Sequence, residues 1–242
     1  MSDSVRRSVV TKAASTLRNR VLAMEPGAFL GSEDDLIEQL GVSRPTFRQA
    51  ARLLAHEELL TIRRGVGGGF FVRRPSIDTV SQSAATYLRS RDTTLDQVSE
   101  VAGRLTLVAL NLALSCRDEH ARERLATLRG KLLAQGEHRE TPSELMNWEM
   151  ELSDAIGEMS GNPALALCLH MFNRFGMDQS AVAFWAHHPK RVAKWSGLRI
   201  RVIEALLARD ETATHRVFGE RARLIRSWIQ REQSNRKPSR RR

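Results

Sequence analysis

The residues with the clearest chemistry in this chain are arginines, and they fall in two settings. In residues 41–50, GVSRPTFRQA, arginines stand at 44 and 48, with a third at 52. Positions four apart share one face of an α-helix, so Arg44, Arg48 and Arg52 make a basic stripe. Phe47, Ala50, Ala51 and Leu54 fall on the other side and can pack inward. A short helix that shows cations and small polar groups from its N-terminal end suits a DNA major groove; the alternative is a solvated charged face on a surface helix. The second setting is the reverse. Arg199 lies inside the apolar row Trp195, Leu198, Val202, Ile203 and Leu206, and Arg221 inside the row Val217, Leu224, Ile225 and Trp228. Helices keep charge off their buried face, and a buried cation left unpaired costs several kcal/mol. Each of these arginines therefore needs an anion, supplied by the protein or by the carboxylate or phosphate of a ligand. Arg104, near Val101, Val108 and Asn111, is a third candidate.

The elements that would position these groups are legible in the patterning. Residues 4–24 carry Val9, Ala13, Leu17, Val21 and Met24 on one helical face. EPGAFLGS is a break, and a short helix follows from about Glu33 to Leu40. At the turn GVS, Gly41 can leave one helix in a left-handed conformation and Ser43 can cap the next, while Pro45 is tolerated in a first turn. The next helix runs from Arg44 to about Glu57. LLTIRR and FFVRR then read as short strands around GVGGG, a glycine cluster suited to a hairpin tip. Helix–turn–helix followed by a two-stranded hairpin predicts a winged helix over residues 1–75. After Pro75 the pattern is helical throughout, broken at Asp92, Cys116–Arg117, GEHRETP, SGNP and near HHP. That predicts six or seven helices packed as an all-α bundle over residues 78–233. The fold class is thus mainly α, a winged helix-turn-helix of three helices and a β-hairpin wing before a helical bundle.

Composition narrows the partners. The chain has 242 residues, with 38 Lys+Arg against 28 Asp+Glu, a net charge of +10. Such a balance suits a polyanion. The tail, residues 234–242, ends in NRKPSRRR and is expected to be disordered, either adding phosphate attraction or serving as a soluble end. Cys116 and Cys168 do not form a CxxC spacing and read as buried apolar residues of a reducing compartment. His187 and His188 are adjacent, His170 stands alone, and all read as ordinary core or surface histidines. MSDSVRRSVV has no secretion-signal run, and LTLVALNLALS at 105–115 is too short to span a bilayer. The expectation is a cytoplasmic protein with no membrane partner. Catalysis finds no support: there is no nucleophile–base pair, and GVGGG lies between strands rather than before a helix, as a phosphate-binding loop would.

In the order and spacing of GVSRPTFRQAARLL and HEELLTIRRGVGGGFFV, ahead of an all-α second domain, the chain resembles the GntR family of bacterial transcription regulators. The second domain is similar to the FCD (FadR C-terminal) type, through SGNPALAL after LMNWEMELSDAIGEM, and through IEALLARDETATHRVFGERARLI. The resemblance implies a homodimer that binds a palindromic operator in double-stranded DNA, with a small molecule in the helical domain changing that binding. It implies that Arg44, Thr46, Arg48 and Gln49 lie at the groove behind the Ser43 cap, with Arg52 on the same stripe. It also implies that Arg64 and the amides of Gly65, Gly67 and Gly68 approach the DNA backbone or minor groove. One departure stands out: where many family members have S-E-R, this chain has Ser32-Glu33-Asp34.

Many FCD domains hold a divalent metal through one Asp and three His. The matching positions here carry Glu149, Ser153, Arg199 and Arg221. Arginine has no lone pair to give, so no metal and no cofactor are expected. Two readings remain. Either Glu149 pairs with the arginines as an internal salt bridge, or Arg104, Glu149, Ser153, Arg199 and Arg221 hold a small anionic metabolite such as an organic acid or an acyl thioester. One glutamate does not neutralise two arginines, which keeps the second reading open beside the first. Trp148, Phe172, Phe175, Phe184, Trp185 and Trp195 either line a cavity or form plain core. The functional expectation is a ligand-responsive repressor, against a constitutive or architectural DNA binder with no effector.

Overall fold

The computed structural model describes residues 3–135, 140–177, 184–186 and 188–236, with side chains described between residues 8 and 232. The chain divides into two compact units, Met1–Ser76 and Ile77–Arg242.

In the first unit, α1 (Asp3–Leu22) is followed by β1 (Phe29–Gly31), α2 (Glu33–Leu40), α3 (Arg44–His56), β2 (Leu60–Arg63) and β3 (Gly69–Val72). The local chemistry sets the helix ends. Ser32 and Asp35 form a capping box on α2, and Gly41 ends that helix at φ 61°. Ser43 accepts from the Thr46 amide to start α3, with Pro45 in the first turn. Leu17, Val21, Leu36, Phe47, Leu54, Phe70 and Val72 close the core. The sheet holds one strand more than the hairpin predicted. Its order is β1-β3-β2, all antiparallel, with Thr61 opposite Phe71 and Arg63 opposite Gly69. β1 lies inside EPGAFLGS and has three residues, too few to show a period of two.

The wing tip needs its glycines. Gly65 and Gly67 sit at φ 93° and 74°, where a side chain is strained. A Cβ on Gly68 would lie 2.6 Å from the Arg63 carbonyl oxygen.

The second unit is helical: α4 (Ile77–Ser90), α5 (Leu95–Leu114), α6 (Glu119–Ala134), α7 (Pro142–Met159), α8 (Pro163–Gly176), α9 (Pro189–Leu207) and α10 (Glu211–Arg236). The breaks at Asp92, Cys116–Arg117 and SGNP fall where the pattern placed them, and GEHRETP and HHP lie partly outside the described residues. α10 continues to Arg236, so the expected tail begins as helix; residues 237–242 lie outside the described residues. Leu110, Leu125, Ile156, Met159, Ile203 and Leu206 form the main core. α7 and α8 pack so closely that a Cβ on Gly157 would stand 2.9 Å from Ala166 Cα. Among the described residues, no single helix is long and apolar enough to cross a membrane.

His170 is not the isolated histidine its sequence context suggested. It is buried, with Nδ1 2.7 Å from Asp154 on α7 and Nε2 3.0 Å from Asp78 on α4. A neutral imidazole has one N–H and can donate to only one of these carboxylates, whereas the imidazolium donates to both. Burial alone would push the imidazole down. The hydrogen bonds and charges of Asp154 and Asp78 outweigh it and hold His170 above its ordinary value of 6.5. The stabilisation is therefore fully present below the ordinary value and is lost as pH rises through the raised folded value. Melting curves between about pH 6 and pH 9 should show the wild type losing stability toward the alkaline end. His170→Gln should flatten that dependence. An equal loss in both proteins would place the titrating group elsewhere. His187 lies outside the described residues, and His188 meets Glu232 at 3.1 Å.

Candidate nucleic-acid interface and ligand cavity

Helix α3 divides as its spacing predicted. Phe47, Ala50, Ala51 and Leu54 are buried, and Arg44, Arg48, Gln49 and Arg52 are exposed on one side. Thr46 departs from the outward set. It is only 8% exposed, with its hydroxyl 2.9 Å from that of Ser43, so it braces the cap instead of facing outward. The arginine stripe is not free. Arg44 Nη2 donates to Asp34 at 2.6 Å and Nη1 to Glu33 at 3.2 Å, and Arg48 Nε donates to Glu33 at 2.9 Å. Both carboxylates come from the first turn of α2, and neither pairing was foreseen from sequence. In the wing, Arg64, Gly65 and Gly67 are exposed and Gly68 is half-buried. Arg63 stacks on the Phe71 ring at 4.2 Å.

The helical unit holds a cavity of about 880 Å³. Apolar and aromatic side chains make most of the wall, including Leu110, Leu152, Phe172, Phe184, Trp185 and Trp195. Of the other aromatic candidates, Trp148 packs against the main core and Phe175 against Ala85 and Val98, so neither lines the cavity. Trp228, part of the apolar row around Arg221, joins Trp185 and Trp195 in an aromatic cluster behind it.

Both stripe arginines are buried, Arg199 completely. They find two glutamates, not one. Arg199 Nη2 donates to both oxygens of Glu140 at 2.7 Å, and its Nε lies 3.6 Å from Glu149 Oε1. Glu140 also accepts from the Ser196 hydroxyl at 2.7 Å. Arg221 donates to Glu149 Oε2 and stacks over Trp195 at 4.2 Å. Glu140 escaped the sequence reading because it stands in the break before α7, outside any helical period; the count of two buried cations against one acid was the signal that a second acid was required.

Burial drives the Arg221 guanidinium below its ordinary value more strongly than Glu149 restores it, and the positive charge of Arg199 adds to the fall. Arg221, Glu149 and Ser153 line the cavity, and Arg199 does not. Among the described residues the buried Trp195 indole N–H, on the same wall, has no hydrogen-bond partner. Arg104 corrects its expectation: it is 78% exposed at the cavity rim and pairs with Glu100 at 3.1 Å, so it is no buried cation. The set Glu149, Ser153, Arg199 and Arg221 does not fit a divalent metal. Its one carboxylate is engaged by guanidinium groups, and the arginines carry no lone pair.

Residues 9–72 match the family model of bacterial regulatory proteins, gntR family. Among solved structures, the Streptococcus agalactiae GntR is 22% identical over 90% of this chain and 99% of its own, with a TM-score of 0.68. That likeness extends the shared fold across both units. The E. coli McbR/YncC structure is 20% identical, covers 93% of this chain and 98% of its own, and has a TM-score of 0.47. No curated protein matches the chain. The N-terminal unit is a gntR-family winged helix-turn-helix domain, the DNA-binding module of transcription regulators.

Proposed function

We propose that the protein is an operator-binding repressor, acting as a homodimer, whose DNA affinity is set by a small anionic metabolite in an FCD-like helical domain. The observation that carries the effector half is Arg221: a buried guanidinium on the wall of an 880 Å³ cavity, incompletely compensated by its one carboxylate partner. An incoming carboxylate or thioester-linked phosphate gains there what Glu149 does not supply. The apolar wall suits the body of an organic acid or an acyl chain, and the unpartnered Trp195 N–H offers a second donor. Arg199 belongs to the structural reading, its charge met by Glu140. Exposed Val101, Val108 and Leu112 on α5 support a second copy against the helical unit.

On the DNA side, Arg48 and Gln49 are proposed to read base edges, Arg44 and Arg52 to meet phosphate or guanine, and Arg64 with the wing amides to meet the backbone. A ligand that prefers one state of the protein shifts operator affinity by its differential binding energy.

Thermal unfolding with a panel of organic acids and acyl thioesters tests the cavity. A ligand at a hundred times its Kd adds about 2.7 kcal/mol, enough for a shift of several degrees. The expected result is a rise in the wild type that is absent in Arg221→Gln, with divalent metals without effect. A panel that moves neither protein would leave a constitutive DNA binder.

A further inference from the structure

The polar groups at the start of α2 and α3 form a closed set of charges. Arg44 lies between Asp34 and Glu33, and Arg48 shares Glu33 with it. Two cations meet two anions, so this patch is neutral although the chain as a whole carries +10. Asp34 is 79% exposed, and among the described residues its one ion-pair partner is Arg44. Asp35, by contrast, is occupied in the capping box of α2. Beyond its place in the first turn of α2, Asp34 is engaged with that arginine alone among the described residues.

We propose that Asp34 is a specificity-determining residue, which lowers the affinity of the recognition helix for DNA of arbitrary sequence by withholding Arg44 from phosphate. The proposal rests on α3 being the groove-facing helix. Binding to any duplex is driven by cations that neutralise phosphates and release counterions. An arginine already neutralised by a carboxylate releases none, and phosphates that approach it also approach Asp34 and Glu33. Exposed pairs of this kind are weak, so a well-placed base edge or a fitted operator backbone can exchange with Asp34. Non-cognate DNA, which offers looser contacts, exchanges less well. A guanidinium held in one orientation is also pre-set for a directional contact. Asp34 therefore widens the gap between cognate and arbitrary sequence at the expense of overall affinity.

The test measures binding of the full chain to a duplex of arbitrary sequence over ~50–200 mM salt. Asp34→Asn, Arg44→Ala, Arg48→Ala and the double variant Asp34→Asn/Arg44→Ala are compared with the wild type. Asp34→Asn is expected to bind severalfold more tightly. The slope of log affinity on log salt should steepen by about 0.9, one phosphate contact. The double variant should lose both gains. On a duplex selected from a random pool by the wild type, Asp34→Asn should show a smaller preference over arbitrary sequence. If Arg44→Ala and Arg48→Ala weaken binding while Asp34→Asn leaves affinity and slope unchanged, the proposal fails and the groove assignment stands. If neither arginine variant alters binding, the groove assignment fails and the proposal fails with it.

Discussion

Arg199→Ala is expected to lower the melting temperature by on the order of 10 °C. Arg199 is wholly buried, and its Nη2 meets both oxygens of Glu140. Removing one partner of a buried ion pair strands the other charge and costs about 3–5 kcal/mol. In a chain of this size each kcal/mol moves the melting point by roughly 2–4 °C. Glu140→Ala should cost a similar amount, since it strands Arg199. Replacing the pair together, Arg199→Met with Glu140→Gln, should recover much of the loss, because no buried charge is then left unpaired. Thermal unfolding followed by circular dichroism reads all three. A wild-type melting point in Arg199→Ala would show that the buried pair does not hold α9 to the start of α7.

Arg48→Ala is expected to weaken binding to a selected duplex by roughly 10- to 100-fold, and to relax base preference at one position in each half-site. A bidentate arginine contact to guanine is worth about 1–3 kcal/mol of discrimination. Arg64→Ala in the wing should instead weaken all sequences alike and reduce the salt slope by about one. Side-by-side titrations on the selected duplex and on single-base variants separate the two. If Arg48→Ala weakened every sequence equally, Arg48 would be a phosphate contact and base reading would have to come from Gln49 or Arg52.

The sequence made legible what short-range chemistry fixes. The four-residue spacing of Arg44, Arg48 and Arg52, the caps at Gly41 and Ser43 and the glycines of the wing are local instructions, and the fold follows each of them. The burial of Arg199 and Arg221 was legible too, because each interrupts an apolar row of its own helix. What the sequence hid are partners brought together by topology. Glu140 reaches Arg199 across 59 positions, and Asp78 reaches His170 across 92. No periodicity connects such pairs. The departure at Ser32-Glu33-Asp34 was visible in the sequence, but not that Glu33 and Asp34 would clasp α3. β1 went unseen because three residues make a strand only when β3 lies beside them.

The most direct test of the account is the Kd of the full chain for the selected duplex at fixed salt, with and without the acid that raises its melting point. The account predicts that this ligand changes the wild-type Kd and leaves that of Arg221→Gln unchanged, so that cavity and DNA are linked through one guanidinium. A ligand that stabilises the protein through Arg221 yet leaves the DNA affinity where it was would contradict the account, since binding without linkage is not regulation.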